Sequence, residues 1–282
     1  MNEGQINPAQ RVIHIRSEQA PTETQKENMN DDAMHFNESD APELQKIRQV
    51  VQEAIILAGS ATAVLLQVAE PGVAKGVDRH SNFAHRPLNR LRTSVTYIYC
   101  MTFGTPEEKK SIIELVHRAH ATVKGRSYSA DDPKLQLWVA ATLYAVSIEL
   151  YQQVFGFMDD MTAETTYKEY WILAESLRVP LGMCPLIITD HARSVAQDLL
   201  YNTKAPLQIR VVLPLVRLAT VQMLPARIRE AYGLKSNKLR RGAYRVIVVL
   251  TKFIYPYLPE TMRTYPMRYY LGEMRQRLQK EV

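Results

Sequence analysis

The sequence predicts an all-α fold, and three observations support this prediction. Apolar residues recur at helical spacing through most of the chain after residue 40, whereas the strict alternation typical of strands is nearly absent. Helix-start signals, in which a polar side chain precedes a proline or an acidic first turn, stand before several of the apolar segments. The 282 residues give ample length for a buried core. We therefore expect a helical bundle.

The uneven distribution of charge marks the boundaries within the chain. Residues 1–45 carry nine Asp and Glu against three Lys and Arg, residues 46–200 carry 16 of each kind, and residues 201–282 carry 16 Lys and Arg against four acids. Residues 1–40 also show no sustained hydrophobic period, so we expect a disordered acidic tail there. The rest of the chain, residues 41–282, is expected to form one helical domain with extra C-terminal helices.

The helices follow from these signals in chain order. The first is expected from Leu44 to about Glu70, with a break at Gly59-Ser60. Thr105 and Glu108 have the spacing of a capping box, which predicts the start of a helix that reaches Lys124. The remaining predicted segments are Val73–Val77, Arg86–Phe103, Lys134–Phe155, Thr162–Leu177, a helix that Asp190 caps and that reaches Leu200, Leu207–Leu224, Arg227–Tyr232 and Lys238–Tyr255.

Several functional classes lack their sequence signals. The chain has no Walker A loop, no glycine-rich dinucleotide fingerprint, no H-E-x-x-H and no C-x-x-C motif. Cys100 and Cys184 both lie in apolar runs, which indicates no disulfide framework and fits a reducing compartment. Nucleic-acid binding is not expected, because the cations of the basic third are dispersed through apolar helices. A solvated face, or one resting on anionic lipid, explains them at least as well.

The stretch L-V-H-R-A-H-A-T-V-K-G, Leu115 to Gly125, is the first candidate for a functional site. His117 and His120 are three residues apart and share one helix face, and Gly125 is typical of a helix stop. An imidazole in such a helix can serve as a haem ligand, a metal ligand or a proton carrier. It can also be a core histidine that is hydrogen-bonded to a backbone carbonyl. The spacing leaves these alternatives open.

A longer set of motifs carries a family resemblance. It consists of the stretch from Leu65 to Thr93, F-G-T at 103–105, V-H-R-A-H-A-T-V-K-G at 116–125, Y-S-A-D-D-P at 128–133 and L-P-A-R at 224–227. In this order and spacing the motifs resemble the latex-clearing rubber oxygenases and the fungal oxygenase of mycophenolic acid biosynthesis. The resemblance covers roughly residues 45–260.

This resemblance implies a haem b, and hence iron, held in a globin-like helical bundle by one proximal histidine. The position that matches the ligand is His120, with His117 as the alternative. Over the opposite haem face the family carries an arginine-rich segment, and Arg90, Arg92 and Thr93 match it here, with Arg86 close by. Their spacing departs from the rubber-cleaving pattern, so these distal roles rest on position alone.

Two further groups of residues fit this interpretation on physical grounds. Burial of two haem propionates requires cationic or imidazole donors, and a basic cluster of the required kind precedes the histidine helix. It comprises His80, His85, Arg86, Arg90 and Arg92. Glu169 is a candidate acid, base or ion-pair partner if it is buried, and a plain surface glutamate if it is not.

The sequence thus predicts a haem-dependent oxygenase that acts on a hydrophobic small molecule with dioxygen or peroxide. Oxidative cleavage of a C=C bond is the expected outcome, in secondary metabolism. We expect a cytoplasmic enzyme, with peripheral contact at the endoplasmic reticulum surface through the basic C-terminal third. One alternative is a non-haem cyclase, dehydratase or isomerase that uses His117, His120 and Glu169 as acid–base groups. A non-catalytic haem-binding or lipid-surface protein is the other.

Overall fold

A computed structural model describes residues 44–80, 87–179 and 213–279, without the side chains of residues 80, 87–90 and 213. These ranges hold twelve α-helices, two short 3-10 segments and one hairpin, which confirms the predicted all-α fold. The predicted acidic tail of residues 1–40 and the helix expected after Asp190 lie outside the described residues.

The α-helices are α1 Gln45–Val51, α2 Ser60–Gln67, α3 Pro71–His80, α4 Pro87–Phe103, α5 Pro106–Ala121, α6 Pro133–Phe155, α7 Asp160–Glu175, α8 Leu213–Met223, α9 Ala226–Ala231, α10 Lys238–Ile254, α11 Glu260–Arg263 and α12 Tyr265–Leu278. The 3-10 segments are Ala54–Gly59 and Tyr255–Tyr257. The hairpin pairs strands β1, Lys124–Gly125, and β2, Tyr128–Ser129.

Helix α6 lies at the centre of the bundle. The Asp132 carboxylate accepts a hydrogen bond from the Lys134 N–H at 2.9 Å, and Pro133 occupies the first turn, so the helix begins where the sequence predicts. It ends at Gly156, whose φ of 99° favours glycine. Helices α1, α2, α7 and α10 and the first 3-10 segment pack around it. Helices α1 and α7 also pack against α4, and α4 packs against α5, which carries the two histidines.

The first predicted helix divides differently from the expectation. Helix α1 ends at Val51, a 3-10 segment follows, and α2 begins at Ser60. Gly59 is required by close packing, because a Cβ there would lie 2.4 Å from Val146 Cγ1 and 2.6 Å from Leu150 Cδ1. The earlier break at residues 52–53 coincides with burial of Glu53, which pairs with Arg263. Hydrophobic periodicity carries no signal for such a long-range ion pair.

Helix α5 confirms the predicted capping box but ends before the predicted position. The Thr105 side chain accepts from the Glu108 N–H, and the Glu108 carboxylate accepts from the Thr105 N–H. The helix ends at Ala121, and Gly125 lies in the hairpin opposite Tyr128. The prediction that Gly125 stops the helix is therefore wrong. Its glycine identity has another cause, since a Cβ at this position would lie 2.5 Å from the Tyr128 ring.

Two buried apolar clusters account for most of the core among the described residues. The larger one joins α1, α4, α5, α6, α7 and α12, and the smaller one joins α2, α3, α8 and α9. Leu271 and Met274 of α12 belong to the larger cluster, so the last helix forms part of the core even though it lies outside the resembling stretch. Tyr232 is fully buried in the smaller cluster, where its hydroxyl donates to the Leu65 carbonyl at 2.6 Å.

Candidate functional site

His120 lies on the last turn of α5 and is held by a side chain from α6. Its Nδ1 is 2.9 Å from the Gln136 Nε2, and the same amide nitrogen donates to the Ala130 carbonyl. Gln136 is buried, whereas the imidazole is half-buried. The hairpin that joins α5 to α6 brings the two residues together, because the Ala130 N–H also donates to the Val123 carbonyl at 2.8 Å. One ring nitrogen of His120 is thus fixed by the protein itself.

His117 contacts a different part of the molecule. Its Nε2 donates to the Ser176 carbonyl at 3.1 Å, just after the end of α7. The Ser176 hydroxyl lies 2.6 Å from the Tyr97 hydroxyl, which donates to the Leu173 carbonyl at 2.9 Å. Burial raises the pKa of Tyr97 well above its ordinary value, so its proton stays in this network. His117 therefore has the geometry of a core histidine bonded to a backbone carbonyl, which was one of the alternatives from spacing.

Arg92 makes an ion pair that the sequence did not suggest. Its guanidinium pairs with the Glu273 carboxylate of α12, which also accepts from the Arg277 Nη2 at 3.3 Å. Thr93, the next residue along α4, is exposed. The two predicted distal residues are thus consecutive along α4, and Arg92 has an anionic partner on the C-terminal helix α12.

The rest of the predicted basic cluster falls largely outside the described part of the chain. His85 and Arg86 precede α4 and are not described. Arg90 lies within α4, but its side chain is not described, and the same holds for His80 at the end of α3. Their roles toward haem propionates stay predictions.

Glu169 is buried, as one of the two sequence interpretations required. Its side chain lies on α7, and Oε2 accepts a hydrogen bond from the Ile47 N–H in the first turn of α1 at 2.8 Å. A carboxylate in this position satisfies an otherwise unpaired helix N–H and interacts favourably with the helix dipole. In the structure, Glu169 therefore caps the start of α1 and joins it to α7.

A small apolar cavity of about 50 Å³ lies between the first 3-10 segment, α2, α4, α6 and α7. The residues that line it are mostly aliphatic, and the hydroxyl-bearing ones are Ser60, Tyr99, Ser147 and Tyr170. Burial raises the pKa of Tyr99 and of Tyr170 above the ordinary tyrosine value, so both hydroxyls stay protonated near neutral pH. Neither His117 nor His120 lines this cavity. It suits a small apolar group and is too small for a haem ring.

Sequence reasoning missed two contacts of the candidate site, one from Gln136 to His120 and one from Glu273 to Arg92. Gln136 carries no motif signal, and Glu273 lies outside the resembling stretch. A register argument from the Asp132-Pro133 helix start places Gln136 in the first turn of α6, but nothing local predicts that it faces His120. Long-range contacts between helices require the fold.

A family model described as the catalytic domain of the ER-bound oxygenases mpaB/B′ and of rubber oxygenase matches residues 47–253. The chain belongs to this family. The match includes α2 to α9, most of α1 and all but the last residue of α10. Both histidines, the α4 segment and Glu169 all lie within it, so the resemblance inferred from the motifs is confirmed.

Two curated relatives extend the comparison. Uncharacterised proteins of Mycobacterium bovis and Mycobacterium tuberculosis are each 38% identical over 135 residues, which is 44% of this chain and 52% of theirs. The chain thus spans about half the length of these relatives. No solved structure matches the chain.

The residues near His120 can be tested against the haem that the family resemblance implies. A haem ligand of this type binds iron through one imidazole nitrogen, while the other nitrogen donates its proton to a protein partner. In the structure the Gln136 amide nitrogen faces Nδ1 and donates to it, so Gln136 accepts the Nδ1 proton only when its amide is turned and Oε1 faces the ring. With the amide turned, His120 and Gln136 would suit a haem held by one histidine. The described residues hold no group of three or more His, Cys, Asp and Glu side chains placed to bind a metal ion. Haem needs only one imidazole from the protein.

The family description includes attachment to the endoplasmic reticulum. Within the described ranges, we find no single helix with the length and apolarity needed to cross a bilayer. Gln45–Val51 and Ala54–Gln67 meet those criteria only as a pair, and they are bent by 68° relative to each other.

Proposed function

We propose that this protein is a haem b-dependent oxygenase that acts on a hydrophobic small molecule with dioxygen or peroxide. The observation that carries the proposal is the pair formed by His120 and Gln136, in which the Nδ1 of a half-buried imidazole is held by a buried amide. The family supplies the reaction class, and this pair supplies a residue suited to hold the cofactor. When bound, the haem supplies the redox chemistry that the protein side chains lack.

Each of the proposed site residues then has a separate task. His120 would hold the iron, and Gln136 would set the orientation of the ring and the nitrogen that carries its proton. Arg92 and Thr93 supply a cation and a hydroxyl for the oxidant, with Glu273 fixing the Arg92 guanidinium. Arg86, Arg90 and His85 are assigned to the propionates, and His117 supports α5 through Ser176.

The substrate is proposed to be an apolar olefin, since the family description includes rubber oxygenase and rubber is an olefinic hydrocarbon polymer. Cleavage by dioxygen breaks the C=C bond and forms two C=O groups, each with one oxygen atom from O₂. A place in secondary metabolism, in the cytoplasm or at the endoplasmic reticulum surface, belongs to the same proposal.

The acid–base alternative finds less support in the geometry. It requires His117, His120 and Glu169 to converge on one substrate. The structure gives them three different partners, namely the Ser176 carbonyl, the Gln136 amide and the Ile47 N–H. We therefore favour the oxygenase.

The proposal is tested by loading the purified full chain with haem and supplying an isoprenoid olefin under ¹⁸O₂. We expect saturable binding of one haem per chain and carbonyl products that each carry one ¹⁸O atom. Product formation by the haem-free protein at an equal rate contradicts the proposal, and so does an unlabelled product with peroxide absent.

A further inference from the structure

Helix α10 exposes a continuous apolar row to solvent. The row consists of Leu239, Val246, Val249, Leu250 and Phe253, and Leu239 and Phe253 are 81% and 68% exposed. Their spacing of 7, 3, 1 and 3 residues places them along one face of the helix. If this face packed against the protein, the five residues would be buried core positions. Helix α10 contains no buried residue.

A different face of α10 attaches the helix to the bundle. The Tyr244 hydroxyl donates to the Gln153 Oε1 of α6 at 2.9 Å, and Ile247 and Val248 on this side are half-buried. The apolar row is therefore not needed to hold α10 in place among the described residues. Exposed apolar patches of this kind mark interaction sites in soluble proteins.

Cations flank the row without acidic partners nearby in the sequence. Arg241, Arg245 and Lys252 are all exposed and share one side of the helix, next to the apolar row. Residues 231–259 contain six Lys and Arg and no Asp or Glu. The surface is thus apolar along its centre and positively charged at its edge.

We propose that the apolar row of α10 inserts into the interface of an anionic membrane, with Arg241, Arg245 and Lys252 bound to lipid headgroups. A helix with a wide apolar face, a basic flank and no acids has the features of one that lies in the plane of a bilayer surface. This assigns the peripheral contact proposed above to one helix. It does not depend on haem, so it can fail while the oxygenase proposal stands.

Two other occupants fit the surface less well. A second copy of α10 would bring like cations together, which opposes pairing through this face. The acidic segment of residues 1–43 has complementary charge, but its apolar residues follow no sustained helical period that would match the row. An anionic lipid surface satisfies both the charge and the apolar face.

The test places a fluorescent reporter in the row of the full chain. Phe253→Trp is compared with Phe157→Trp, a control at an 83% exposed phenylalanine between α6 and α7. With vesicles of phosphatidylcholine and phosphatidylserine, we expect a blue shift of the Phe253→Trp emission and quenching by brominated acyl chains. The Phe157→Trp emission should change in neither respect, and phosphatidylcholine alone should give weak binding.

Charge variants give the second half of the test. Arg241→Gln, Arg245→Gln and Lys252→Gln together should weaken vesicle binding by about a hundredfold, since each cation contributes roughly fivefold at an anionic surface. The matched control, Lys110→Gln, Arg126→Gln and Lys134→Gln, removes the same charge elsewhere and should have a much smaller effect. Equal loss in both triple variants overturns the proposal. A Phe253→Trp emission that is blue-shifted without vesicles and unquenched by brominated lipid also overturns it, because the row is then covered by protein.

Discussion

The Gln136 side-chain amide joins α6 to the end of α5 through His120, with 2.9 Å between Gln136 Nε2 and His120 Nδ1. The same amide nitrogen donates to the Ala130 carbonyl, which fixes the amide orientation. In this orientation Nδ1 accepts, so the neutral imidazole carries its proton on Nε2. In the proposed haem protein, iron binding through Nε2 would require the other tautomer. The Gln136 amide would then have to turn and give up its hydrogen bond to the Ala130 carbonyl.

The first prediction concerns this amide. Gln136→Glu offers only oxygen acceptors to the ring, so the proton should move to Nδ1 in the haem-free protein. Imidazole ¹⁵N shifts of labelled protein report the tautomer directly. Haem affinity should be retained in Gln136→Glu and fall about tenfold or more in Gln136→Leu, the range found when a ligand loses its hydrogen-bond partner.

Gln152→Leu is the matched control for this prediction. Gln152 is a buried glutamine of the same helix, and its Oε1 accepts from the Met158 N–H at 3.2 Å. The substitution removes a comparable amide contact away from His120. If Gln152→Leu weakens haem binding as much as Gln136→Leu does, the effect is one of general stability and the positioning role is contradicted.

The second prediction concerns two glycines with opposite surroundings. Gly59→Ala should destabilise the fold by about 1–3 kcal/mol, because the added methyl group overlaps Val146 and Leu150. Gly242→Ala has nothing within 4 Å of the new Cβ and lies inside α10, so it should stabilise the protein by roughly 0.5–1 kcal/mol. Urea unfolding measures both. A stabilised Gly59→Ala would show that the helices approach less closely than described.

The sequence predicted most helices because capping and periodicity are local signals. Thr105 with Glu108 and Asp132 with Pro133 mark the starts of α5 and α6 within one turn, and both were confirmed. Helix α7 begins two residues before the predicted Thr162, since Asp159 caps it by accepting from the Thr162 N–H. The end of α5 was missed because the chain leaves the helix at Thr122 and enters a hairpin, in which Gly125 lies opposite Tyr128.

The candidate site was predicted less completely than the fold, because it depends on contacts between helices that are far apart in sequence. Spacing showed that His117 and His120 share a helix face, but it could not show that they bond to α7 and α6 respectively. The partner of Arg92 is 181 residues away in sequence. Only the packing of α12 against α4 brings Glu273 within reach.

The third prediction separates a structural role of Glu169 from an acid–base role. Glu169→Ala leaves the Ile47 N–H without its acceptor in a buried place and should cost about 2–4 kcal/mol of unfolding free energy. Glu169→Gln keeps an acceptor oxygen and should cost roughly 1 kcal/mol. Glu164→Gln, at an exposed position of the same helix, should stay within about 0.5 kcal/mol of the wild type.

Turnover provides the second readout for these three variants. The haem-loaded Glu169→Gln protein should keep most of its activity at a temperature where it is fully folded. Loss of activity by two orders of magnitude or more, with unchanged stability, would contradict the structural role and support general acid–base catalysis.

The fourth prediction is a pH dependence of stability. The hydrogen bond and charge of Arg275, at 2.7 Å from Nε to the Glu108 Oε1, lower the pKa of Glu108 below its ordinary value. A lowered folded pKa contributes stability above the unfolded pKa, and this contribution is lost as the pH falls through the folded pKa. Arg275→Gln should therefore lower the melting temperature at pH 7, and the difference from the wild type should shrink below about pH 4.

Arg277→Gln serves as the control for this effect. It removes the same charge from α12 but leaves the Glu108 pair intact. The effect at pH 7 should be small, because an exposed ion pair contributes only roughly 0.2–1 kcal/mol. A constant difference between Arg275→Gln and the wild type from pH 7 to pH 3 would show that the pair makes no ionic contribution.

The most direct test of the central claim is the absorption spectrum of the purified, haem-loaded protein beside His120→Ala and His117→Ala. We expect a Soret band in the wild type and in His117→Ala, and its loss or shift in His120→Ala, with recovery when free imidazole is added to His120→Gly. A band lost in His117→Ala but retained in His120→Ala would move the ligand to His117. A wild-type protein that stays colourless with added haem would contradict the haem oxygenase altogether.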